Sequence, residues 1–169
     1  MEDMVTIRPA VAGDADAIWR IFHTVVAPGD TYTFEPGTSR DVAEAYFLEA
    51  GILSFVAIVD EAVAGMYKLI PNRNGLGAHV ANASFMVDPA AQGRGIGRAM
   101  GEHCLREARR AGYLAMQFNF VVSTNTGAAA LWKKLGFSIV GTLPKAFNHA
   151  RLGYVDAYVM HRSLDDVAL

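Results

Sequence analysis

A glycine-rich stretch between a predicted strand and a predicted helix limits the folds and the ligands that are open to this chain. The apolar run Phe85-Met86-Val87 ends at Asp88-Pro89, and glycines follow at positions 93, 95 and 97. Proline stops a strand because it donates no N–H to the ladder. Beyond the glycines, apolar residues recur at helical spacing from Ile96 to Ala111. A helix N-terminus in such a loop presents free N–H groups and positive potential, so the stretch predicts an anion site, with a diphosphate as the obvious ligand.

Two common nucleotide motifs do not fit this stretch. No Lys-Ser/Thr pair follows the last glycine, which excludes a P-loop. The spacing is not Gly-x-Gly-x-x-Gly and no strand–helix–strand unit precedes it, which argues against a Rossmann site. On the loop alone, a plain glycine-rich turn before an ordinary helix remains an alternative.

The composition is that of a globular protein. The 169 residues suffice for one domain with a proper core, so we expect a single domain over residues 1–169. A hydrophobic content of 52% and a charged content of 19% exclude a disordered chain. The net charge of −2 gives no sign of a nucleic-acid partner.

Signals for export or membrane insertion are missing from the sequence. No apolar stretch approaches the roughly 20 residues that a membrane span needs. The start, Met1-Glu2-Asp3, is acidic and has no apolar segment behind it. The lone Cys104 cannot form an internal disulfide, which is typical of a reducing compartment. We therefore expect a cytoplasmic protein with a buried thiol and no membrane partner.

Hydrophobic periodicity predicts the element order β α α β β β α β α β β, an α/β fold. The predicted strands are 5–8, 53–59, 63–70, 79–87, 113–122, 137–143 and 154–162. The expected features between them are a helix cap at Asp14, a Thr38-x-x-Asp41 capping box, a tight hairpin at Asp60-Glu61, a cap at Asn125 or Thr124, and a loop over 144–153.

Two motifs in this order resemble the signatures of the GCN5-related N-acetyltransferase (GNAT) family, whose members bind acetyl-coenzyme A. Gln92-Gly93-Arg94-Gly95-Ile96-Gly97 matches the family's Gln/Arg-x-x-Gly-x-Gly/Ala. Asn125-Thr-Gly-Ala-Ala-Ala-Leu-Trp-Lys-Lys-Leu-Gly-Phe137 is similar to its Asn-x-x-Ala-x-x-Leu-Tyr-x-x-x-Gly-Phe. The resemblance covers nearly the whole chain. It implies the GNAT fold, a mixed, mostly antiparallel sheet of about seven strands with four helices, in which strands 4 and 5 splay apart.

The resemblance also implies where acetyl-CoA binds. Its pantetheine arm would lie between the splayed strands, with Met86 and Val87 as backbone partners and Asn125 reaching it from the helix start. The diphosphate would be held by Gln92, Gly93, Arg94, Gly95, Ile96 and Gly97. For Asn125 a plain helix N-cap is an equal alternative, and for Arg94 a solvated side chain is another. No metal is expected.

Two residues that the family commonly uses in catalysis are missing. A glutamate in strand 4 often acts as base, but His79-Val-Ala-Asn-Ala-Ser-Phe-Met-Val87 holds no carboxylate. Trp132 stands where the family commonly has the tyrosine that protonates the leaving thiolate, and indole is not a useful acid. His79 could replace the base or be merely structural, and Tyr154 and Tyr158 could replace the acid or merely pack.

Asn82 and Asn119 are the polar side chains that the two strands offer instead, and both are candidates for catalysis and substrate binding. A buried amide without partners costs about 1–3 kcal/mol, so each is satisfied by neighbouring backbone or faces a polar cavity. Together with the run 118–125, they resemble the acetyltransferases of azetidine-2-carboxylate and other proline analogues. That resemblance implies that the two amides bind a substrate carboxylate.

We therefore expect an acetyl-CoA-dependent N-acetyltransferase that transfers the acetyl group directly to a small-molecule amine, an amino acid or analogue with a carboxylate. The aromatic loop with Tyr32 and Phe34 and the loop 144–153 would close the substrate pocket. The resemblance also implies a homodimer, because a dimer is usual among members of the family. Two alternatives stay open: a protein or peptide N-terminal acetyltransferase, which needs an open groove, and a CoA-binding protein without catalysis.

Overall fold

The computed structural model describes residues 4–169; the acidic start Met1-Glu2-Asp3, on which the expectation about export rests, lies outside the described residues. Within that range the chain forms seven strands and four α-helices. The strands are β1 Thr6–Pro9, β2 Leu53–Val59, β3 Ala62–Pro71, β4 Val80–Val87, β5 Ala115–Val122, β6 Ser138–His149 and β7 Gly153–Ser163. The helices are α1 Ala15–Val26, α2 Arg40–Leu48, α3 Ile96–Arg110 and α4 Thr126–Lys134.

All seven strands form one sheet in the order β1-β2-β3-β4-β5-β7-β6. Every neighbouring pair is antiparallel except β4 and β5, which are parallel. A parallel pair needs a crossover connection, and α3 supplies it here. The predicted α/β class, the mixed sheet and the four helices are confirmed.

The β4–β5 pair is short. Val80 is in register with Ala115 and Ala81 with Met116, and over the described residues the two strands share no pairing beyond these positions. The strands therefore diverge toward Val87, as expected, and leave a wedge-shaped gap in the middle of the sheet.

The sheet is covered on both faces, because side chains alternate across a strand. Met66 and Met86 pack with Phe22 of α1 and Phe47 of α2 on one face. Tyr67 of β3 belongs to the cluster on the other face. That cluster also contains Ile96, Met100 and Cys104 of α3, Trp132 of α4, Met116 and Phe137.

Burial raises the pKa of the Cys104 thiol. Over residues 4–169, no helix is long and apolar enough to cross a membrane.

The predicted loop over 144–153 is wrong. Strand β6 continues to His149, and only a short turn separates it from β7. The register shifts between Leu143 and Phe147, and Lys145 has a φ of 51°. Because β6 is the edge strand, Pro144 removes no ladder bond from a central strand, and the irregularity accommodates it.

Two predicted helix caps are also wrong. Ser39, not Thr38, caps α2, with its Oγ accepting from the N–H of Val42 at 3.5 Å. The carboxylate of Asp14 does not cap α1, because it accepts two bonds from Arg8 at 2.8 Å and one from the N–H of Val11. The bond from Arg8 lowers the pKa of Asp14.

The hairpin at Asp60-Glu61 and the cap at Asn125 are confirmed. Asp60 and Glu61 have φ of 50° and 64°, the left-handed pair that a tight two-residue turn requires. Asn125 Oδ1 accepts from the N–H of Ala128 at 3.3 Å.

Candidate functional site

A cleft of about 600 Å³ occupies the gap between β4 and β5 and extends over the face covered by α1 and α2. Its walls come from both strands, from the α1–α2 connection and from the start of α4. The residues that line it include Asp30, Tyr32, Phe34, Tyr46, Asn82, Ser84, Phe85, Val87, Gln92, Asn119, Asn125 and Trp132.

The backbone of β4 presents amide groups to this gap. In an antiparallel ladder, alternate residues turn both N–H and C=O to the same neighbour. Asp88 N donates to Ala64 O at 2.8 Å, so Met86, two residues earlier, also pairs with β3. The amide groups of Phe85 and Val87 therefore point the other way, into the gap.

Two side-chain hydrogen bonds agree with this alternation. The Tyr32 hydroxyl donates to the C=O of Phe85, and Asn82 Oδ1 accepts from the N–H of Ala83 at 2.8 Å. Met86, expected as a backbone partner of a ligand, has its amide groups in the β3–β4 ladder and its side chain buried. Phe85, which the sequence did not single out, turns its amide groups into the gap as Val87 does.

The glycine stretch forms a short turn over Pro89–Ala91, an extended Gln92 and then the start of α3. Gly93 and Gly95 have φ of 80° and 75°, and a Cβ at either position would meet no atom within 4 Å. Gly95 is the N-cap residue of α3 and supplies no side-chain cap. The first N–H groups of α3 therefore have no side-chain cap, and an uncapped helix N-terminus favours the binding of an anion.

Other residues of the predicted cofactor loop have different surroundings. A Cβ on Gly97 would lie 3.4 Å from Leu131, so this glycine allows α3 to approach α4. Ile96 is buried in the core. Arg94 pairs with Asp60 at 2.7 Å across the mouth of the β2–β3 hairpin.

The start of α4 forms another wall. Asn125 lines the cleft, and its Oδ1 caps the helix, so the N-cap interpretation of this residue is confirmed. The cap uses the amide oxygen and leaves the amide nitrogen of Asn125 without a role in it. Trp132 is 8% exposed, and its ring centroid lies 4.8 Å from those of Phe85 and Phe118. Its indole is a packing group at the base of the gap.

Asn82 and Asn119 line the same cleft. Asn119 sits where β5 carries an extra residue opposite β7, a bulge that removes it from the ladder. Its Oδ1 accepts from Gln117 at 3.0 Å, and its Nδ2 donates to Asn72 Oδ1 at 2.7 Å. Asn72, the residue after β3, is a partner that the sequence did not suggest.

A buried polar group beneath the cleft was also not predicted. The Tyr46 hydroxyl is hydrogen-bonded to Ser84 Oγ at 2.5 Å, and both residues line the cleft. Lys68 Nζ lies 3.2 Å from the centroid of the Tyr46 ring, a cation–π contact. Burial lowers the pKa of Lys68 to about 8 and raises that of Tyr46.

The connection from α1 to α2 lies over the cleft. Phe34 packs edge-on against Phe22 and Tyr46, with centroids 5.0 Å apart in each pair. The turn after β6 touches this connection, since Ala150 N donates to Gly29 O at 3.0 Å. However, none of the residues 144–153 lines the cleft.

The alternative acid and base candidates lie elsewhere. His79 is exposed and precedes β4, and Tyr154 is 69% exposed. Neither residue, nor Tyr158, is among those that line the cleft.

Comparisons with known proteins agree with this geometry. The family model described as "Acetyltransferase (GNAT) family" matches residues 18–137. The structure of a GCN5-related N-acetyltransferase from Kribbella flavida is similar, with a TM-score of 0.90, 43% sequence identity, and coverage of 94% of this chain and 97% of that one. The structure of yncA, a putative acetyltransferase from Salmonella typhimurium with its cofactor acetyl-CoA, has a TM-score of 0.84 and 27% identity over 98% and 97% of the two chains. The L-methionine sulfoximine/L-methionine sulfone acetyltransferase of Salmonella typhimurium is 27% identical over 169 residues, 97% of each chain.

Proposed function

Because the chain belongs to the acetyltransferase (GNAT) family, it is an N-acetyltransferase that uses acetyl-CoA, and we propose that its acceptor is a small-molecule amine, an amino acid or analogue with a carboxylate. The observation that carries this proposal is the meeting of Asn82 and Asn119 in one cleft beside the unpaired backbone of β4. The similar Salmonella protein, by its name, acetylates amino-acid analogues, which supports the same substrate class.

The glycine stretch fits the diphosphate of acetyl-CoA. Gly93 and Gly95 leave open space where a side chain would stand, and the uncapped α3 offers N–H donors and the positive end of its dipole. We assign Gln92–Gly97 to the diphosphate and Asn125 to the pantetheine arm. Val87 and Phe85 would bind the arm through backbone groups, the way an added strand binds a sheet edge.

The reaction needs a polarised thioester carbonyl, and the strand can supply the donor. Acetyl-CoA brings the activated acetyl group and a thiolate leaving group. Backbone N–H groups of β4 that point into the gap are positioned to bind the oxygen on which negative charge develops. Donors of this kind need no particular side chain, so the missing strand-4 glutamate does not affect this part of catalysis.

The acceptor would lie on the α1–α2 side of the gap. Asn82 has its Oδ1 on the N–H of Ala83, which leaves its amide nitrogen for a ligand. Asn119 is held at both ends, by Gln117 and by Asn72, so its remaining N–H has a fixed direction. Two fixed amide donors suit a carboxylate, because each donates a hydrogen bond to a carboxylate oxygen. They do so without placing a fixed positive charge in the cleft.

The rival activity, acetylation of a protein or peptide N-terminus, needs an open groove for a chain. Here the α1–α2 connection lines the cleft from Asp30 to Phe34, and the Tyr32 hydroxyl donates to the C=O of Phe85 in β4, so this connection spans part of the opening. This closure favours a small acceptor.

Release of the CoA thiol is the experiment that tests the proposal. The purified protein is incubated with acetyl-CoA and panels of free amino acids, their analogues, and peptides with free N-termini. We expect turnover with one or more amino acids or analogues. Turnover with peptides alone would replace the proposal with N-terminal acetylation. Acetyl-CoA binding without turnover of any amine would leave a CoA-binding protein.

We further propose that the enzyme is a cytoplasmic homodimer. The free edge of β6 exposes Val140 and Leu143, and Tyr154 of β7 is 69% exposed beside it, which supports self-association there. The buried unpaired Cys104 is consistent with a reducing compartment. Sedimentation equilibrium tests the dimer.

A further inference from the structure

The cleft has one fixed charge among the described residues that line it, the carboxylate of Asp30; none of the lining residues is Lys, Arg or His. Asp30 is half-buried, and within residues 4–169 its carboxylate has no hydrogen bond or ion pair. Two other carboxylates of the fold that are at least as buried, Asp14 and Asp88, are paired with Arg8 and Arg20. An unpaired carboxylate inside a ligand cleft is complementary to a cationic ligand group.

Asp30 is held between two anchors. On one side, Gly29 donates to Val26 O at 3.1 Å and accepts from Ala150 N at 3.0 Å. Its φ is 65°, and an added Cβ would lie 3.2 Å from Ala150 Cβ, so the turn fits closely against the β6–β7 turn. On the other side, Tyr32 reaches across to the C=O of Phe85 in the gap. Asp30 is therefore fixed in position two residues from a side chain that touches the reactive edge of β4.

We propose that Asp30 binds the ammonium group of the acceptor and takes its proton. This inference rests on the proposed function, because it assigns the acceptor's base in that reaction. The family's usual position for a base, in β4, carries no carboxylate in this chain. Asp30 reaches the same cleft from the α1–α2 connection and supplies the missing negative charge.

The proton balance of the reaction is complete with this residue. The acceptor enters as R–NH3+, and one proton moves to a carboxylate oxygen of Asp30 and then to solvent. The free amine nitrogen forms a bond to the thioester carbonyl carbon, and the C–S bond breaks with its electron pair on sulfur. The second proton of the nitrogen neutralises the thiolate, and the third remains on the amide. Acetyl-CoA and the ammonium thus give the acetamide, CoA thiol and one released proton.

The same charge also orients an amino-acid substrate. Its carboxylate is repelled by Asp30 and attracted by the amide donors of Asn82 and Asn119, which stand near the closed end of the gap. An acceptor with an ammonium at one end and a carboxylate at the other therefore has one favourable orientation.

The test compares Asp30→Asn with Glu35→Gln. Glu35 is an exposed carboxylate in the same connection that does not line the cleft, so it controls for a general loss of charge. With an amine that the wild type acetylates, we expect Asp30→Asn to lower kcat/KM by about 100-fold or more, a loss within the range of acid–base catalysis. Its Kd for acetyl-CoA and its melting temperature should match those of the wild type. Glu35→Gln should retain wild-type kcat/KM.

Two further measurements separate proton transfer from a structural role. Raising the pH toward the pKa of the free amine supplies R–NH2 from solution, so the deficit of Asp30→Asn should shrink. Asp30→Ala leaves room for a small acid, and added formate should restore part of its turnover. Wild-type activity in Asp30→Asn, or a deficit that neither high pH nor formate changes in either variant, overturns the inference. Absence of turnover in the wild type with every amine would instead overturn the proposed function, before any variant is measured.

Discussion

Asn82 offers a direct test of how the acceptor is bound. Its Oδ1 is engaged by the N–H of Ala83, and its amide nitrogen faces the cleft. Asn82→Ala removes the donor. Asn82→Asp keeps the size and the acceptor for Ala83 but replaces the donor with a negative charge. The two variants therefore differ in one electrostatic property at one place.

The expected losses follow from the charge on the acceptor. A hydrogen bond to a carboxylate is worth about 1.5–3 kcal/mol, so Asn82→Ala should lower kcat/KM roughly ten- to a hundredfold. In Asn82→Asp, two carboxylates about 4 Å apart repel by about 4 kcal/mol at an effective dielectric constant near 20. Adding this to the lost bond gives a decrease of more than roughly a thousandfold.

The assay measures kcat/KM on an amino acid and on its methyl amide, which lacks the carboxylate charge. On the methyl amide, Asn82→Ala should have nearly the kcat/KM of the wild type. The loss of kcat/KM caused by Asn82→Asp should be much smaller on the methyl amide than on the acid. Asn119→Ala should behave like Asn82→Ala with a smaller effect, because one N–H of Asn119 is already used by Asn72. Equal losses on both substrates would refute carboxylate binding and assign the asparagines to the thioester or to the strand backbone.

Three other substitutions test the cofactor loop, the gap and the buried lysine. Gly95→Glu should abolish acetyl-CoA binding in calorimetry, since it adds a carboxylate at the proposed diphosphate site. The control Gly95→Asn should still bind, because asparagine tolerates the φ of 75° at this position. If Gly95→Glu bound acetyl-CoA with wild-type affinity, the loop would not be part of the cofactor site. Trp132→Phe should lose about 1–3 kcal/mol of stability yet keep kcat within about threefold, and a fall of about 10³-fold in a folded variant would identify the indole with catalysis. Burial lowers the pKa of Lys68 to about 8 in the folded protein, whereas a lysine in the unfolded chain has a pKa of about 10.4. Between these two values the unfolded chain keeps a proton on Lys68 that the folded protein has lost. The free energy of unfolding by urea should therefore rise between about pH 8 and pH 10 in the wild type and not in Lys68→Met, and parallel pH profiles would contradict this.

The parts of the fold that could be predicted are those set by local sequence. The glycine stretch, the helix that follows it and the Asp60-Glu61 turn each depend on a few consecutive residues, and all three appear in the structure. The extent of β6 could not be predicted, because Pro144 ends a central strand but is tolerated at an edge. The sequence did not reveal that β6 would be the edge.

The candidate site was predictable only where it follows a strand or a motif. Asn82 and Asn119 lie on strands whose pairing could be expected, and they do share one cleft. Asp30 is a loop residue that lines the cleft, and Asn72 follows β3 and contacts Asn119; long-range packing places both, so no local pattern marks them. Which residues of β4 pair with β3 depends on the register of the two strands, and the sequence alone does not fix it. This register pairs Met86 with β3 and leaves the amide groups of Phe85 facing the gap.

The brief contact between β4 and β5 means that the proposed cofactor and acceptor sites share one gap in the sheet. Ala81 and Met116 pair across its closed end, the glycine stretch follows β4, and Asn119 lies on β5. Acetyl-CoA bound in this gap would form one wall of the acceptor pocket. Any effect of one bound substrate on the affinity for the other is then reciprocal, by the same factor. We expect a bulkier residue at the buried Ala81 to change the width of the gap, so acceptor selectivity can depend on a core residue that touches neither ligand.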